Sequence, residues 1–310
     1  MPNIDKLNGV TVTDITSVDG VDACNNIASI NGHSLVCASL LLDTFGTNVL
    51  AAYSLRKLSS TYAGSAIRVR RTSDNSEQDI GFDASGNLDT SSLTTFLGSD
   101  DGLITKWYDQ SGNGRDGTQT TASKQFIIAT AGTIETKNSL PTTKGGNSKH
   151  VAISGFPTTS QPITTFDVYA HHSAGAAGTD STFVSKVSSA NFIRTDYKRF
   201  VRVGILSAFG GTSINAQGAT AHGNTDLHVV TRMMNGASSV VRVDQVAEGR
   251  SGGGDWVVTG AQMGPVATSI GTNSTSTYYG NLSEIIIFAA DKTSELTGIE
   301  DDMKTYYSTP

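Results

Sequence analysis

Leu227-His228-Val229-Val230-Thr231-Arg232-Met233 and, after a short break, Val240-Val241-Arg242-Val243-Asp244-Gln245-Val246 read as two short runs of β-branched and apolar residues. Such runs suit strands rather than helices, because branched side chains fit a pleated surface better than a helical turn. Further runs of this kind are Phe166 to Ala170, Phe183 to Val187, Phe200 to Val203 and Glu284 to Phe288. Turn clusters such as Ser251-Gly252-Gly253-Gly254 and Asn273 to Thr277 separate them. Many short strands without alternating helices indicate an all-β sandwich rather than a parallel α/β sheet. The composition agrees: of 310 residues only 16% are charged and 33 are glycine.

The first half adds short helices to this scheme. Val49, Ala51, Leu55, Leu58 and Tyr62 fall at helical spacing, with Arg56 and Lys57 on the other face, and predict a short amphipathic helix. A second helix is expected from Asp89, an N-cap residue type, through Leu93 and Phe96 to Gly98. Leu103 to Tyr108 reads as a strand running into the Asp109-Gln110-Ser111-Gly112-Asn113-Gly114 turn. At the other end, Leu296, Ile299, Met303 and Tyr306 predict a terminal helix capped by Thr293 or Ser294.

A different pattern occupies the N-terminus. Leu7-Asn8-Gly9-Val10, Val18-Asp19-Gly20-Val21 and Ile30-Asn31-Gly32-His33 repeat at nearly regular intervals. Asn-Gly and Asp-Gly between apolar residues are strong hairpin signals, because both central positions of a type I′ turn take positive φ. Too little apolar surface lies between the turns for an independent core. Residues 1–39 are therefore expected to be a repeat leader for assembly, with Asn8, Gly9, Asp19, Gly20, Asn31 and Gly32 as its turns, and residues 40–310 one sandwich domain. Cys24 and Cys37 match no usual zinc or redox spacing and are read as buried thiols or as a disulfide.

The net charge of −6 gives no general attraction for phosphate backbones, so nucleic acid is not an expected partner. No stretch approaches the roughly 20 apolar residues that span a bilayer, so no membrane insertion is expected. Met1-Pro2-Asn3-Ile4-Asp5 lacks the basic and apolar regions of a secretory signal.

One block of residues carries a resemblance. Ala52 to Leu58, Ile67 to Arg71, Ser73-Asp74, Asp79-Ile80-Gly81 and Trp107-Tyr108-Asp109-Gln110-Ser111-Gly112-Asn113-Gly114 resemble the first half of the fungal α-L-arabinofuranosidase B catalytic domain. Phe183-Val184-Ser185-Lys186, Val241 to Asp244 and Tyr279 to Phe288 resemble the wider concanavalin A-like and laminin G-like group. The resemblance implies a two-sheet jelly-roll sandwich. That enzyme family places its nucleophilic glutamate in an Asn-Ala-Glu stretch after a vicinal cysteine pair, and this sequence has neither. No glutamate occurs between Glu135 and Glu248. Arabinofuranosidase-like modules behind Ile-Asn-Gly leaders also resemble phage structural proteins. The resulting expectation is a non-catalytic bacteriophage virion component, such as a tail fibre, head fibre or capsid decoration protein. It would be located in the virion, attached through the leader to other virion proteins and homo-oligomeric, with a trimer preferred. The alternative is a divergent glycoside hydrolase.

Candidate site residues follow from the chemistry of glycan contact, which needs an aromatic platform beside polar side chains. Asp255-Trp256 and Tyr278-Tyr279, each beside a loop of small polar residues, are the candidates for contact with a host-surface glycan. Against this, Trp256 opens an apolar run with Val257 and Val258 and suits a core position better than an exposed one. No metal or other cofactor is expected: adjacent His171 and His172 would point to opposite strand faces, and Asp100, Asp101, Asp109 and Asp116 read as turn carboxylates rather than calcium ligands. Arg68 and Arg70 should share one strand face, with Asp74, Glu77 and Asp79 as ion-pair partners.

Overall fold

The computed structural model describes residues 39–310 apart from 147, 172–179, 189–190, 199, 208–213, 218–225, 250–252, 261 and 272–279, and, within residues 1–38, residues 6–7, 10–11, 17–18, 21–22, 29–30 and 33–34. Residues 1–40 and 41–310 form two separate units. In the first, Leu7 pairs with Val10, Val18 with Val21 and Ile30 with His33, so antiparallel pairs flank all three Asn/Asp-Gly dipeptides. The dipeptides themselves, Asn8-Gly9, Asp19-Gly20 and Asn31-Gly32, lie outside the described residues, as do Cys24 and Cys37.

The second unit is a β-sandwich. It runs α1 (Leu41–Phe45), β1 (Val49–Ser54), β2 (Ile67–Arg71), β3 (Glu77–Ile80), α2 (Thr90–Leu97), β4 (Gly102–Trp107), β5 (Gly117–Thr118), β6 (Phe126–Thr130), β7 (Thr143–Lys144) and β8 (His150–Ile153). The second half contributes β9 (Ile163–His171), β10 (Asp180–Ser188), β11 (Asn191–Lys198), β12 (Phe200–Ser207), β13 (Ile214–Gln217), β14 (His228–Met234), β15 (Val240–Val243), β16 (Val246–Ala247), β17 (Ala267–Gly271), β18 (Gly280–Phe288) and α3 (Leu296–Tyr307). One layer has the order β1-β18-β9-β14-β15-β16. The other joins β3-β2-β4 to β5, β8, β17, β10, β11, β12 and β13. Every one of these pairings is antiparallel.

Alternation of side chains along the strands builds two apolar layers. Ala51 and Tyr53 of β1, Tyr169 of β9, Val230 of β14 and Ile285 and Ile287 of β18 face the interior between the sheets, with Trp107, Phe126 and Phe183 from the other layer. Ala52, Phe166, Val168, Val229, Ile286 and Phe288 face the opposite way, onto Leu296, Ile299, Met303 and Tyr307 of α3. The first sheet is thus covered on both faces, and all of β18 is buried.

This double cover corrects the helix expected from Val49. Residues 49–54 are strand β1, and because both faces are buried no polar alternation marks them as one. The other two expected helices form. Asp89 caps α2 by accepting the Ser92 N–H at 2.9 Å, and Gly98 ends it at φ 59°. The α3 N-cap is Glu295 without a side-chain cap bond, whereas the Thr293 hydroxyl donates to Asp291 at 2.5 Å. Ile67 and Val69 are buried while Arg68 pairs with Asp79 and Arg71 with Asp74; Arg70 instead donates to Gln125 and Asn75.

Candidate functional site

The Asp109 to Gly114 block binds the chain to itself. Asp109 is buried, and its carboxylate accepts the backbone N–H of Ala52, Ser111 and Arg115 at 2.9, 2.9 and 3.0 Å. The Gln110 amide bridges a whole turn of chain: it accepts from Leu58 N at 2.8 Å and donates to the carbonyls of Ser54 and Arg56 at 3.1 and 2.9 Å. Asn113 Nδ2 donates to the carbonyls of Val49 and Leu50. Gly112 and Gly114 take φ values of 83° and 68°, open to glycine at no steric cost. These residue types are therefore required by a turn that clamps the two ends of β1, and this block spends its polar groups on backbone.

Polar groups of another kind gather where β9, β14 and β18 end together. His171 pairs with Gly280, and Tyr169 with both Leu282 and His228. On the interior face of this sheet Asp167 forms a fully buried ion pair with Arg232. A buried charge is tolerated only when it is paired, so the two residues specify one another. Tyr169 lies across the bare backbone of Gly280, where any Cβ would enter its ring. Next along the same face, His228 Nδ1 bonds Asp244 Oδ2 at 2.6 Å, and Asp244 Oδ1 accepts the Val229 N–H at 2.9 Å. Asp244 and Gln245 sit in the β15–β16 turn at φ 48° and 72°. Helix α3 holds that turn: Gln245 donates to Asp301, and Lys304 Nζ donates to the Asp244 carbonyl at 3.3 Å. Asp226, just ahead of β14, is exposed. β10 starts at Asp180 at the same end, since Phe183 pairs with Ile270, one residue before β17 finishes.

The sequence-derived candidates fall elsewhere. Asp255 is exposed, but Trp256 is only 7% exposed and its indole N–H donates to the Glu248 carbonyl at 2.7 Å, so its ring belongs to the interior layer. Tyr278, Tyr279 and His172 lie outside the described residues. Asp100 and Asp101 accept from Ser73 and from Ala131 N, and Asp116 accepts the Asp109 N–H. Among the described residues no three acidic, histidine or cysteine side chains gather as a metal site. What sequence reading missed is the set Asp167, Arg232, His228 and Asp244. A usable signal existed, since Asp167 and Arg232 interrupt otherwise apolar strands, where an unpaired charge would be prohibitive.

The fold is a β-sandwich with a cluster of polar groups at one strand end. Residues 41–190 match the family described as Alpha-L-arabinofuranosidase B, catalytic. Among solved structures, a Glu-to-Gln mutant of a GH54 α-L-arabinofuranosidase soaked with 4-nitrophenyl α-L-arabinofuranoside is similar at 17% identity and TM-score 0.56, over 85% of this chain and 64% of that one. An arabinofuranosidase complexed with arabinofuranosyl-α-1,2-xylobiose is similar at 17% identity and TM-score 0.54, over 84% of this chain and 64% of that one. The chain thus spans 64% of the length of these enzymes. A comparison with curated proteins gave no match. These findings overturn the expectation of a non-catalytic bacteriophage appendage: the matched family is that of a catalytic domain, and the fold is shared with glycoside hydrolases. The missing Asn-Ala-Glu stretch and the leader by themselves do not define a structural role.

Proposed function

We propose that residues 41–310 form an arabinofuranosidase-like glycoside hydrolase domain that cleaves terminal α-L-arabinofuranosyl groups. The match of residues 41–190 to a catalytic-domain family carries this reading. Glycoside hydrolysis of this kind needs two carboxyl groups flanking the scissile bond, one to protonate the leaving oxygen and one to attack the sugar or activate water. The strand end of β9, β14 and β18 offers Asp226 and Asp244. Asp244 has both oxygens engaged, by His228 and by Val229 N, which suits it to positioning His228 rather than to reaction. Asp226, exposed at this strand end, is then the candidate reacting carboxylate, an aspartate where the family uses glutamate. Asp167, buried against Arg232, sets the sheet beneath it.

The test is release of 4-nitrophenol from 4-nitrophenyl α-L-arabinofuranoside by the full chain, beside Asp226→Asn. Loss of one acid–base partner should lower kcat by about a hundredfold or more. A folded protein without turnover, or turnover untouched by Asp226→Asn, refutes the assignment.

A further inference from the structure

The clamp described above also forms one wall of a pocket that the hydrolytic reading does not use. A cavity of about 270 Å³ is lined by Leu42, Gly46 and Val49, by Ser59, Thr61 and Tyr62, and by Gln110, Ser111 and Gly112. It lies at the far end of the first sheet from the candidate catalytic carboxylate: Val49 pairs with Phe288, whereas His171 pairs with Gly280. At roughly 3.3 Å per residue, the length of β18 puts about 26 Å between the two ends.

The lining has an unusual chemical bias. None of its nine residues is formally charged. Three of its hydroxyls donate into the protein: Ser59 Oγ to Asp43 at 3.1 Å, Tyr62 Oη to the Ser65 carbonyl at 2.8 Å and Ser111 Oγ to Asp109 at 2.8 Å, while the Thr61 hydroxyl lies 3.0 Å from Ser59 Oγ and the Ser111 oxygen is filled by Asn113 N and Nδ2. A hydroxyl that donates inward keeps lone pairs for other partners. The Gln110 amide is likewise spent on backbone. The wall thus offers a guest the hydroxyl oxygens of Ser59 and Thr61 as acceptors and no charged group, which suits a neutral guest that carries O–H donors.

One aromatic ring completes the wall, and it is held rigidly. Tyr62 is tied by its hydroxyl to Ser65, packs edge-on against Phe82 at 6.4 Å between centroids, and lies over Gly64, where a Cβ would clash with the phenol. Its phenol is pushed up to about 12, first by burial and then by Asp116, Asp109 and Asp79, so it stays a neutral platform. A Cβ built on Gly112, at φ 83°, would meet nothing within 4 Å, which leaves the backbone open to approach. We infer that this pocket binds one neutral sugar unit, stacked on Tyr62 and donating its hydroxyls to Ser59 and Thr61. At about 270 Å³ it lies just below the range of roughly 300–1,000 Å³ for small-molecule sites, which limits it to a single ring. The site is separate from hydrolysis and would hold a polysaccharide while the other end of the sheet acts on it.

Saturation-transfer NMR on the full chain with D-glucose, D-xylose, L-arabinose and D-glucuronate tests the inference, with dissociation constants of about 1–10 mM expected for a single sugar ring. At least one neutral sugar should bind, and glucuronate should bind more weakly. Tyr62→Ala, and Thr61→Phe at the pocket wall, should each weaken binding at least about tenfold. Tyr62→Phe, which keeps the ring, should leave it within about threefold, and Asp226→Asn should not change it. No binding of any neutral sugar by the folded protein overturns the proposal. So does binding that survives both Tyr62→Ala and Thr61→Phe, or binding lost only in Asp226→Asn, which would move it to the hydrolytic end.

Discussion

Gln110→Ala separates a structural role for the Asp109 to Gly114 block from a catalytic one. The side chain is 2% exposed and makes three hydrogen bonds to the backbone of Ser54, Arg56 and Leu58. Each bond contributes about 1 kcal/mol net, and a buried group left unpaired costs about 1–3 kcal/mol. Ser54 O retains only a long contact with Trp107 Nε1 at 3.5 Å, while Arg56 O and Leu58 N lose their Gln110 partner. With the void left by the amide, the total is about 3–5 kcal/mol, a large part of a typical stability of roughly 5–15 kcal/mol. Urea unfolding followed by tryptophan emission, to which buried Trp107 beside the clamp contributes, should show the midpoint falling by about 1 M or more for m near 3 kcal/mol/M. Turnover of the aryl arabinofuranoside per folded molecule should stay unchanged. A loss of stability below about 1 kcal/mol, or a specific loss of turnover at full stability, would refute the clamp reasoning.

Three further outcomes follow from the geometry. Gly280→Ala pushes a methyl into the Tyr169 ring and should destabilise by about 2–3 kcal/mol, read as a lowered melting temperature; an unchanged one would show that the ring moves freely. Glu284, fully buried, accepts from Arg56, Ser54 and Tyr307, whereas Asp302 is partly exposed and burial raises its carboxyl pKa. Glu284→Gln should therefore cost about 3–5 kcal/mol in chemical denaturation, and Asp302→Asn distinctly less. The Asp79 carboxyl is held below its ordinary range by Arg68 and Tyr108, and that of Asp291 by the Thr293 hydroxyl and N–H and by Asn235. Groups with depressed folded values stabilise above the unfolded carboxylate pKa of about 3.9 and lose that contribution as pH falls through the folded values. Melting temperature should then drop below about pH 4 in wild type and drop less in Asp79→Asn/Asp291→Asn.

Much of the sandwich was legible because one-sided strands declare themselves. Ile67-Arg68-Val69-Arg70 alternates, and the structure buries the apolar pair while sending the arginines to polar partners. Helix α2 was legible from its ends, Asp89 and Gly98. Strand β1 was not, because Ala51 and Ala52 are buried on opposite faces and the apolar run has no period to read. The candidate site was hidden for a related reason: Asp167, His228, Arg232 and Asp244 come from three separate stretches of chain, and only strand register brings them to one face. Trp256 stands out in the sequence instead, yet its aromatic character says nothing about which way the ring turns. The functional expectation failed differently. It rested on an absent Asn-Ala-Glu stretch, an absent vicinal cysteine pair and a leader repeat, none of which bears on the match of residues 41–190 to a catalytic-domain family.

The central place of β18 has a consequence for how the protein is made. Ala51 of β1 must find Ile287 of β18, which leaves the ribosome over two hundred residues later. At synthesis rates of about 5–20 residues per second the delay is roughly 10–50 s for β1 and about half that for β9, and until it ends both lack their shared neighbour. Both are apolar strands with hydrogen-bonding edges, the kind of surface that recruits other nascent chains. Yield of this protein in a cell should thus be governed less by its final stability than by how well those two edges are shielded until β18 arrives, by chaperones or by slower, cooler synthesis.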